Sequence, residues 1–443
     1  MSAAIGPEHC ALRHRATAGH AEAMYLAVQQ QPFRNRRLNL NLHVVQSSDI
    51  IPHLVVADEY MGAPMNRSQP AVYRSLSTNS RDSGIGRTFR GALPRLIVAV
   101  ACLLAIHPAS VAARDAATWK VHGKLLGKAE PSSEVEKSTD VSGIACDRDV
   151  TFPRICIVAD DETQGAQIVV LGDGKLVAGD FIKLTDTQYR GKPLELDAEA
   201  VAFEDGSFYV VGSHGRARHE PDQAKEAKAN ARAAATRQIF RITLRAAAVD
   251  MQTGKLRGKA DVQPSSLTAV LQSQPEIARA YDQALADNGL TIEGLAVRDR
   301  RLYIGMRGPV LGSDAAILSV AAPAVFEGQP ADPKLHRLAL QNDTLGNPRG
   351  VRDLARYGNG FLVLAGPVND PPEGTKIKTG DYSIYSWDGQ NRLNRLVDLE
   401  GYGKKVKPEA LLPLDGDDQR MRVLLMFDGP TKGAPRPITV KLN

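Results

Sequence analysis

The sequence lacks the signature motifs of several large protein classes. After residue 113 it contains no P-loop, dinucleotide-binding glycine motif, serine nucleophile elbow, zinc-protease helix or Cys-x-x-Cys pair. It also has no dense stretch of Lys and Arg interleaved with aromatic residues, and its formal net charge is only +5 over 443 residues. A nucleotide cofactor and a nucleic-acid partner are therefore not expected.

Long hydrophobic runs are scarce as well. The one strongly apolar window, residues 96–106, is far shorter than the roughly 20 apolar residues of a membrane-spanning helix. Three arginines precede it and small residues follow it, as in a secretion signal that is cleaved after Ala112 or Ala113. We predict a signal peptide at 87–113 and a bacterial periplasmic or secreted protein without a permanent membrane anchor. The alternative is a buried helix of the folded domain.

Signal peptides normally begin a chain, yet residues 1–86 precede this one. We predict that these residues are a disordered extension or lie upstream of the true translation start, which would then be Met61 or Met65. Residues 114–443 form the mature domain, for which we expect a monomer. With 43% apolar and 24% charged residues, the chain has the composition of a soluble globular protein.

Cysteine is also rare, with four residues in the whole chain. Two of them, Cys10 and Cys102, lie before the mature domain. The other two, Cys146 and Cys156, lie in strand-like segments on either side of a turn. In an oxidising compartment they are candidates for a disulfide, and two reduced buried thiols are the alternative.

The mature domain contains one pattern five times. Each copy begins with a short apolar segment, which we call the head, and a second apolar segment that ends in a turn follows it. A third strand-like segment comes next, and a weaker fourth one follows in the first four copies. Segments this short, separated by Gly, Asp and Pro, are typical of antiparallel strands. The heads are residues 140–145, 197–202, 291–296, 350–355 and 407–412.

Radial repetition of four-stranded units is the sequence signature of a β-propeller. We predict an all-β propeller of five blades, closed by N- and C-terminal strands, with residues 118–126 completing the last blade. A sixth, degenerate blade and a β-sandwich are the alternatives. The long gap between the second and third heads contains two helix-like segments, 218–237 and 265–288, which we predict to be an insertion in blade two. It either decorates the surface or forms a lid.

Four of the heads carry a carboxylate near the same point. The start of a first strand lies beside the end of the second, so the heads should meet at one mouth of the central channel. Like charges gathered there need compensation, and Ca²⁺ suits carboxylates in the absence of Cys or His clusters. The alternative is that each carboxylate accepts backbone N–H bonds from the neighbouring blade. We call these residues the predicted carboxylate ring and expect them to be metal ligands: Glu199, Glu293, Asp353 and Glu409.

Other polar residues stand at or just after the ends of the second strands, where Asp160 and Asp161 also lie. His214 is the candidate acid–base group, because histidine titrates near neutral pH. Glu199 and Glu293 are the other candidate catalytic residues. An ordinary exposed loop around His214 is the alternative. Four residues near the mouth are candidates for binding a ligand with an anionic group such as phosphate. They are Arg216, Arg307, Asp428 and Arg436.

Two heads, Asp-Ala-Glu-Ala-Val-Ala at 197–202 and Ile-Glu-Gly-Leu-Ala at 292–296, together with Phe-Tyr-Val-Val-Gly-Ser-His at 208–214, carry a family resemblance. Through them residues 120–442 resemble a bacterial family catalogued as domain of unknown function 3616. That resemblance implies an exported, propeller-like domain with no assigned activity. More distantly, the chain resembles the esterase-like phytase propellers, which implies phosphoester hydrolysis. It departs from their Asp-x-Glu-Gly head at Ala200 and has no extended acidic metal cluster.

Two functional hypotheses follow. The first is a metal-dependent phosphoester hydrolase, with Ca²⁺ as the expected metal, that acts at the channel mouth. The second is a non-catalytic propeller that binds a small anionic ligand or a protein partner, because a fold alone does not define a function.

Overall fold

The computed structural model describes residues 117–129, 135–148, 150–219, 222–372 and 375–442. The predicted extension and the predicted signal peptide lie outside these residues. Within the described ranges, no helix has both the length and the apolar character that a membrane span requires.

Burial of the strands falls from the channel outward. In blade one, every residue of the strand Arg154–Asp160 is buried, whereas the outermost strand Lys175–Lys183 is mostly half-buried. Inner strands have neighbours on both faces, so their sequences are continuous apolar runs. Outer strands face solvent and mix apolar with polar residues. This explains why the fourth segment of each repeat shows the least clear strand pattern in the sequence.

The described chain contains 24 strands. In chain order they are β1 (Lys120–His122), β2 (Leu126–Ala129), β3 (Val135–Lys137), β4 (Val141–Cys146), β5 (Arg154–Asp160), β6 (Gly165–Gly172), β7 (Lys175–Lys183), β8 (Gln188–Tyr189), β9 (Lys192–Pro193), β10 (Ala198–Glu204), β11 (Ser207–Gly212), β12 (Ile239–Thr243), β13 (Asp261–Ser265), β14 (Thr291–Arg298), β15 (Arg301–Leu311), β16 (Asp314–Ala321), β17 (Lys334–Leu338), β18 (Arg349–Tyr357), β19 (Gly360–Pro367), β20 (Ser383–Trp387), β21 (Leu393–Asp398), β22 (Lys407–Gly416), β23 (Arg420–Asp428) and β24 (Arg436–Lys441).

Five antiparallel sheets form the blades. They are β4–β7, β10–β13, β14–β17, β18–β21 and the three-stranded β22–β24, while β2–β3 and β8–β9 are separate two-stranded pairs. The first strand of each blade contacts the first strand of the next, and β22 of the last blade contacts β4 of the first. The predicted five-bladed propeller is therefore confirmed.

The apolar core is divided among the five interfaces between blades. Each interface contains its own cluster of buried side chains contributed by two adjacent blades. The cluster between blades three and four, for instance, packs Tyr303, Phe361 and Trp387 against one another, with ring centroids 4.4–6.0 Å apart. Burial of apolar surface at every interface, including the one between blades five and one, stabilises the closed ring.

The N-terminal strand closes the ring in a different way from the one predicted. Residues 118–126 do not form the fourth strand of blade five. Instead β1 pairs in parallel with the free outer edge of blade one, with Lys120 opposite Lys175. The Trp119 side chain packs into the cluster between blades one and five, and the backbone N–H of Trp119 donates to the Pro435 carbonyl at 2.7 Å. The N-terminal segment thus joins blade one to blade five through the β1–β7 pairing, the Trp119–Pro435 hydrogen bond and the burial of the Trp119 side chain.

The predicted helical insertion is present in two parts. The helix α1 (Glu226–Thr236) joins β11 to β12 within blade two. Two short helices, α2 (Thr268–Gln272) and α3 (Pro275–Ala278), connect β13 to blade three and bury their apolar residues in the cluster between blades two and three. A third short helix, α4 (Ala322–Phe326), follows β16.

Cys146 and Cys156 lie opposite each other on β4 and β5, and a disulfide with an S–S distance of 2.01 Å joins them. Both residues are buried, in the cluster between blades one and five. The bond therefore links the two innermost strands of the blade at which the ring closes.

Candidate functional site at the channel mouth

A pocket of about 480 Å³ lies at one mouth of the channel. Its volume falls within the range of about 300–1,000 Å³ that is usual for small-molecule sites. The starts of the inner strands line it, and so do α1 and the loop before α1, so the insertion contributes to the pocket as well as to the surface. Its charged lining residues are Asp161, Asp197, Glu199, Glu293, Glu409 and Asp428, together with Arg216, Arg218, Lys225, Lys228, Arg232, Arg307 and Lys407.

The third residue of each head interrupts the regular pairing of its inner strand. In β10 the pairing steps from Ala198 to Ala200, which leaves Glu199 without a partner on β11. The same step occurs at the equivalent point of the other four inner strands. A β-bulge of this kind redirects a side chain and is frequent beside functional sites. The five buried residues at these positions, which we call the bulge ring, are Ser142, Glu199, Glu293, Arg352 and Glu409.

The bulge ring corrects the predicted carboxylate ring at one position. Arg352, and not Asp353, stands at the bulge of β18, and Asp353 follows it where the other heads have Gly or Ala. The Asp353 carboxylate accepts the N–H of Leu354 at 2.7 Å and the N–H of Leu411, in the next blade, at 2.6 Å. Asp353 does not line the pocket; its carboxylate joins two blades, which is the architectural alternative stated for the ring.

Arginines neutralise two of the three glutamates in the bulge ring. Arg352 Nε lies 2.9 Å from Glu293 Oε2, and the same guanidinium pairs with Glu409. Arg307 Nη1 lies 2.8 Å from Glu293 Oε1. All four side chains are buried. Glu293 and Glu409 are therefore members of an internal ion-pair network. The metal-ligand role expected of both residues, and the catalytic role expected of Glu293, stay predictions.

Asp370, in the loop after β19, connects this network to the loop that precedes α1. Its carboxylate lies 3.2 Å from Arg307 Nη2, 3.9 Å from Lys407 Nζ, and also pairs with Arg218. Burial alone would raise the pKa of Asp370, but four surrounding cations, Lys407 first among them, hold it well below its usual range. The predicted ligand-binding residue Arg307 thus lines the pocket with its charge already compensated.

Glu199 is different, because it has no ion pair or hydrogen bond to another described residue. It is 8% exposed and faces the pocket. Asp161 and Asp197 lie beside it, and one carboxylate oxygen from each of the three residues lies within 4.8 Å of the others. Oδ1 of Asp161 is buried without a hydrogen-bond partner. We call Asp161, Asp197 and Glu199 the acidic triad.

Burial raises the pKa of all three carboxyl groups of the acidic triad. Mutual repulsion raises the pKa values of Asp161 and Glu199 further, through Asp197 in both cases. Like charges held this close favour a shared proton or a bound cation. Within the described residues, this is the one group of three or more His, Cys, Asp or Glu side chains with metal-binding spacing. Of the predicted carboxylate ring, it contains Glu199 alone.

Asp428 lines the pocket beside Lys407, with which it forms an ion pair. Burial and the nearby carboxylate of Glu409 raise the pKa of Asp428 to about 6 in spite of that lysine. The predicted ligand-binding residue Asp428 therefore lines the site, as a carboxyl group that is paired with Lys407.

His214 is buried outside the pocket, with 0% of its surface exposed. Its Nδ1 donates to the Gly212 carbonyl at 2.9 Å, and its Nε2 accepts the Leu267 N–H at 3.3 Å. Burial lowers the pKa of His214 to about 4. Because backbone groups occupy both ring nitrogens, His214 is a neutral structural residue that anchors the start of α2, and the acid–base prediction is corrected.

The two remaining predicted arginines, Arg216 and Arg436, lie in different places. Arg216 lines the pocket, and its Nη2 donates to Asn230 Oδ1 of α1 at 3.2 Å. Arg436 does not line the pocket and lies over the rings of Tyr402 and Phe427, 5.4 and 5.6 Å from their centroids. A guanidinium over two aromatic faces gains cation–π stabilisation, so its place in blade five is structural.

Sequence reasoning missed Arg352, which pairs with two glutamates of the pocket, and two residues that line the pocket, Asp197 and Lys228. Arg352 stands at the third position of its head, where three other heads have Glu, and an alignment by position would have revealed it. Asp197 stands at the first position of its head, yet nothing in the pattern brings it to Asp161 of blade one. Lys228 belongs to a segment that the sequence predicts only as a helix.

Fold and site together define a five-bladed β-propeller whose channel mouth is lined by both acidic and basic side chains and by helix α1. The model of the protein family of unknown function DUF3616 matches residues 132–437, and the chain belongs to this family.

Comparison with curated proteins finds no match. Among solved structures, the chain is similar to a β-1,3-galactosidase of glycoside hydrolase family 43 at 8% identity and a TM-score of 0.37, over 74% of this chain and 60% of that one. It is also similar to the arabinanase Arb43A of Bacillus subtilis, at 7% identity and a TM-score of 0.32, over 69% of this chain and 96% of that one. These likenesses carry no conclusion about activity.

Proposed function

We propose that this protein is a divalent-cation-dependent hydrolase of phosphoesters that acts in the channel-mouth pocket. The observation that carries the proposal is the acidic triad, whose negative charges no described cation pairs with, in the same pocket as several arginines and lysines. Acidic groups that hold a metal, next to basic groups that receive an anion, are the two elements that metal-assisted phosphoester chemistry requires.

The acidic triad fits a hard cation. Three carboxylates supply oxygen ligands, which Ca²⁺ and Mg²⁺ prefer, and no His or Cys stands among them. The buried Oδ1 of Asp161 and the buried carboxylate of Glu199 lack partners that a cation would supply. When bound, such a cation would polarise a phosphoryl oxygen and offset its negative charge.

The basic lining favours an anionic ligand. Arg216 lies in the pocket with its guanidinium oriented by Asn230, and Lys228 of α1 faces the same space. Charge-assisted hydrogen bonds from such groups are well suited to phosphate oxygens. The small anionic ligand expected from the sequence is thus supported by the residues that surround the pocket.

Metal binding is tested first by thermal melting of the full chain in EDTA and then with Ca²⁺ or Mg²⁺. A ligand that binds only the folded state raises the melting temperature, by the equivalent of about 2.7 kcal/mol at 100 times its Kd. We expect the rise in melting temperature to be lost in Glu199→Gln. Asp428→Asn should keep the rise, because Lys407 already neutralises the Asp428 carboxylate in the pocket. Absence of any cation-dependent rise in the wild type would overturn the metal site.

Hydrolysis is tested next, with a panel of phosphate monoesters and diesters at the cation concentration that saturates the melt. Activity that disappears in both Glu199→Gln and Asp161→Asn supports the proposal. Cation binding without hydrolysis of any phosphoester would overturn the catalytic part and favour the non-catalytic ligand-binding propeller.

We further propose that the mature domain is exported, as its predicted signal peptide implies. The buried disulfide between Cys146 and Cys156 supports this, because such bonds persist in oxidising compartments. Thiol alkylation and mass spectrometry of the protein from its native cells give the test. We expect an intact disulfide and an N-terminus at Ala113 or Arg114, whereas free thiols and an upstream N-terminus would overturn it.

A further inference from the structure

The opposite end of the channel holds a second pocket, of about 450 Å³. Residues from the later part of all five inner strands line it. Along β18, for example, Arg352 of the bulge ring precedes Leu354, Ala355 and Arg356, which line the second pocket. None of its lining residues lines the pocket at the other mouth, so the two pockets are separate sites.

Most residues that line the second pocket are apolar. Every blade contributes at least one of them, and these include Ile144, Val201, Leu295, Leu354 and Leu412. Val150 also lines the pocket and is 61% exposed, so it stands at the opening. Among the described residues, the only other exposed large hydrophobic side chain is Leu345. A ligand with an apolar body would remove Val150 and the pocket wall from water, which is favourable.

Val150 is held in place at this opening. It lies in the turn between β4 and β5, and the disulfide between Cys146 and Cys156 joins the two strands beside the turn. Within the turn, the Asp147 carboxylate accepts the N–H of Ile155 at 3.0 Å. A surface that is already ordered loses little conformational entropy when a ligand binds.

The charged lining of the second pocket is mainly basic. Arg154 is buried and donates to the Pro413 carbonyl at 2.8 Å, so it belongs to the wall. The one acidic residue, Asp415, forms an ion pair with Arg422. The charge of the lining therefore complements an anionic group on the ligand. The charged lining residues are Arg148, Arg154, Arg356 and Asp415.

Arg356 is the arginine best suited to bind that anionic group. Its side chain is 41% exposed, and it reaches from blade four to Glu204 of blade two through one contact, Nη1 to Oε1 at 3.4 Å. The Glu204 carboxylate already accepts the backbone N–H groups of Asp299 and Arg300, at 2.8 and 2.7 Å. An exposed ion pair contributes about 0–1 kcal/mol, so Arg356 can bind a ligand without the loss of a strong pair.

We infer that the second pocket binds a small amphipathic molecule with one carboxylate, of the chemical class of the medium-chain fatty acids. The apolar body lies between the inner strands and against Val150, and the carboxylate binds Arg356. A volume of about 450 Å³ is usual for sites of this kind. The inference does not depend on the proposed hydrolase, because the two pockets share no lining residue.

The carboxylate is tested by isothermal titration calorimetry of the full chain with octanoate and with octan-1-ol, which have the same chain length and differ in charge. We expect the wild type to bind octanoate about tenfold more tightly than the alcohol, because hydrogen bonds to a charged group are the stronger ones. Arg356→Gln should lose this preference and keep its affinity for octan-1-ol.

Arg148→Gln is the matched control for the charge. Arg148 lines the same pocket, but its guanidinium makes two contacts with the carboxylate of Asp147, at 3.1 and 3.2 Å. We expect this variant to keep the wild-type preference for octanoate. Equal losses of the preference in Arg148→Gln and Arg356→Gln would overturn the role of Arg356.

The apolar body is tested with Val150→Ser, an exposed position at which the change should leave the melting temperature as it is. We expect this variant to bind both probes about fivefold more weakly and to keep the preference for octanoate. Leu345→Ser is the matched control, because Leu345 is similarly exposed but lines a different pocket. Its affinity for both probes should equal that of the wild type.

The titrations are done in EDTA, so a cation at the acidic triad does not enter the result. Octanoate binding that depends on Arg356 and Val150, in a protein that hydrolyses no phosphoester, would support the second site and overturn the hydrolase alone. Absence of octanoate binding, or equal affinity for the two probes, would overturn the inference. So would a wild-type dimer in analytical ultracentrifugation that Val150→Ser dissociates, since a second copy of the chain would then cover the pocket.

Discussion

Arg352 Nε lies 2.9 Å from Glu293 Oε2, and both side chains occupy the bulged position of their inner strands in neighbouring blades. The arginine therefore stands where a fourth glutamate would continue the ring, and it compensates the charges of its two neighbours, Glu293 and Glu409. Because an arginine replaces glutamate at this position of the repeat, the glutamates on either side of it are neutralised, whereas the carboxylates of the acidic triad are not.

Arg352→Met tests this role. Removing one partner of a buried ion pair leaves uncompensated buried charge, so we expect a loss of about 3–5 kcal/mol in the free energy of unfolding, measured by urea denaturation. The triple variant Arg352→Met, Glu293→Gln, Glu409→Gln should recover a large part of the loss, because it removes the stranded charges. A loss below about 1 kcal/mol in the single variant, the size of a surface pair, would contradict the network.

Asp353→Ala should weaken the contact between blades four and five. The change leaves the N–H groups of Leu354 and Leu411 without their acceptor, at a cost of about 1–3 kcal/mol for each buried group. Urea denaturation at neutral pH gives the measurement. Asp415→Ala, which removes a partly exposed pair with Arg422, is the control and should cost about 1 kcal/mol or less. Equal losses in the two variants would argue against a structural role for Asp353.

His214 should stay neutral across the physiological pH range. Its pKa is lowered by burial to about 4, below the value near 6.5 that it has when unfolded. Its contribution to stability is therefore present above pH 6.5 and is lost as the pH falls towards 4. We expect its ring proton resonances, assigned by comparison with His214→Gln, to remain unchanged between pH 8 and pH 5. A midpoint near 6.5 would restore the acid–base hypothesis.

Asp160 should make the metal-free protein less stable at alkaline pH. Burial raises its pKa to about 7, from 3.8, so the folded state binds a proton between these values that the unfolded state has released. Stability from this group is thus present at low pH and is lost as the pH rises through 7. In EDTA, we expect the free energy of unfolding of Asp160→Asn, relative to that of the wild type, to rise by about 1–3 kcal/mol from pH 5 to pH 8, since one pKa unit corresponds to about 1.4 kcal/mol. The exposed Asp173→Asn is the control and should gain nothing.

Much of the fold could be predicted because its information is local. Five heads with their second and third segments define five blades, since each blade is a short sheet of strands that follow one another in the chain. The helical insertion was readable for the same reason, from the composition of 218–237. The position of residues 118–126 was not, because the choice between the edge of blade one and the edge of blade five depends on where Trp119 is buried.

The candidate site, like the fold, has some features that the sequence predicts and others that it does not. Strand direction brings the starts of the first strands and the ends of the second strands to one mouth of a propeller, so the sequence was enough to predict that most of these acidic and basic residues meet there. Which of their charges are compensated depends on tertiary contacts. The bulges select Arg352 over Asp353, and the packing of blade one against blade two brings Asp161 to Glu199. These outcomes depend on bulges and contacts between blades, and a repeat pattern along the chain contains neither.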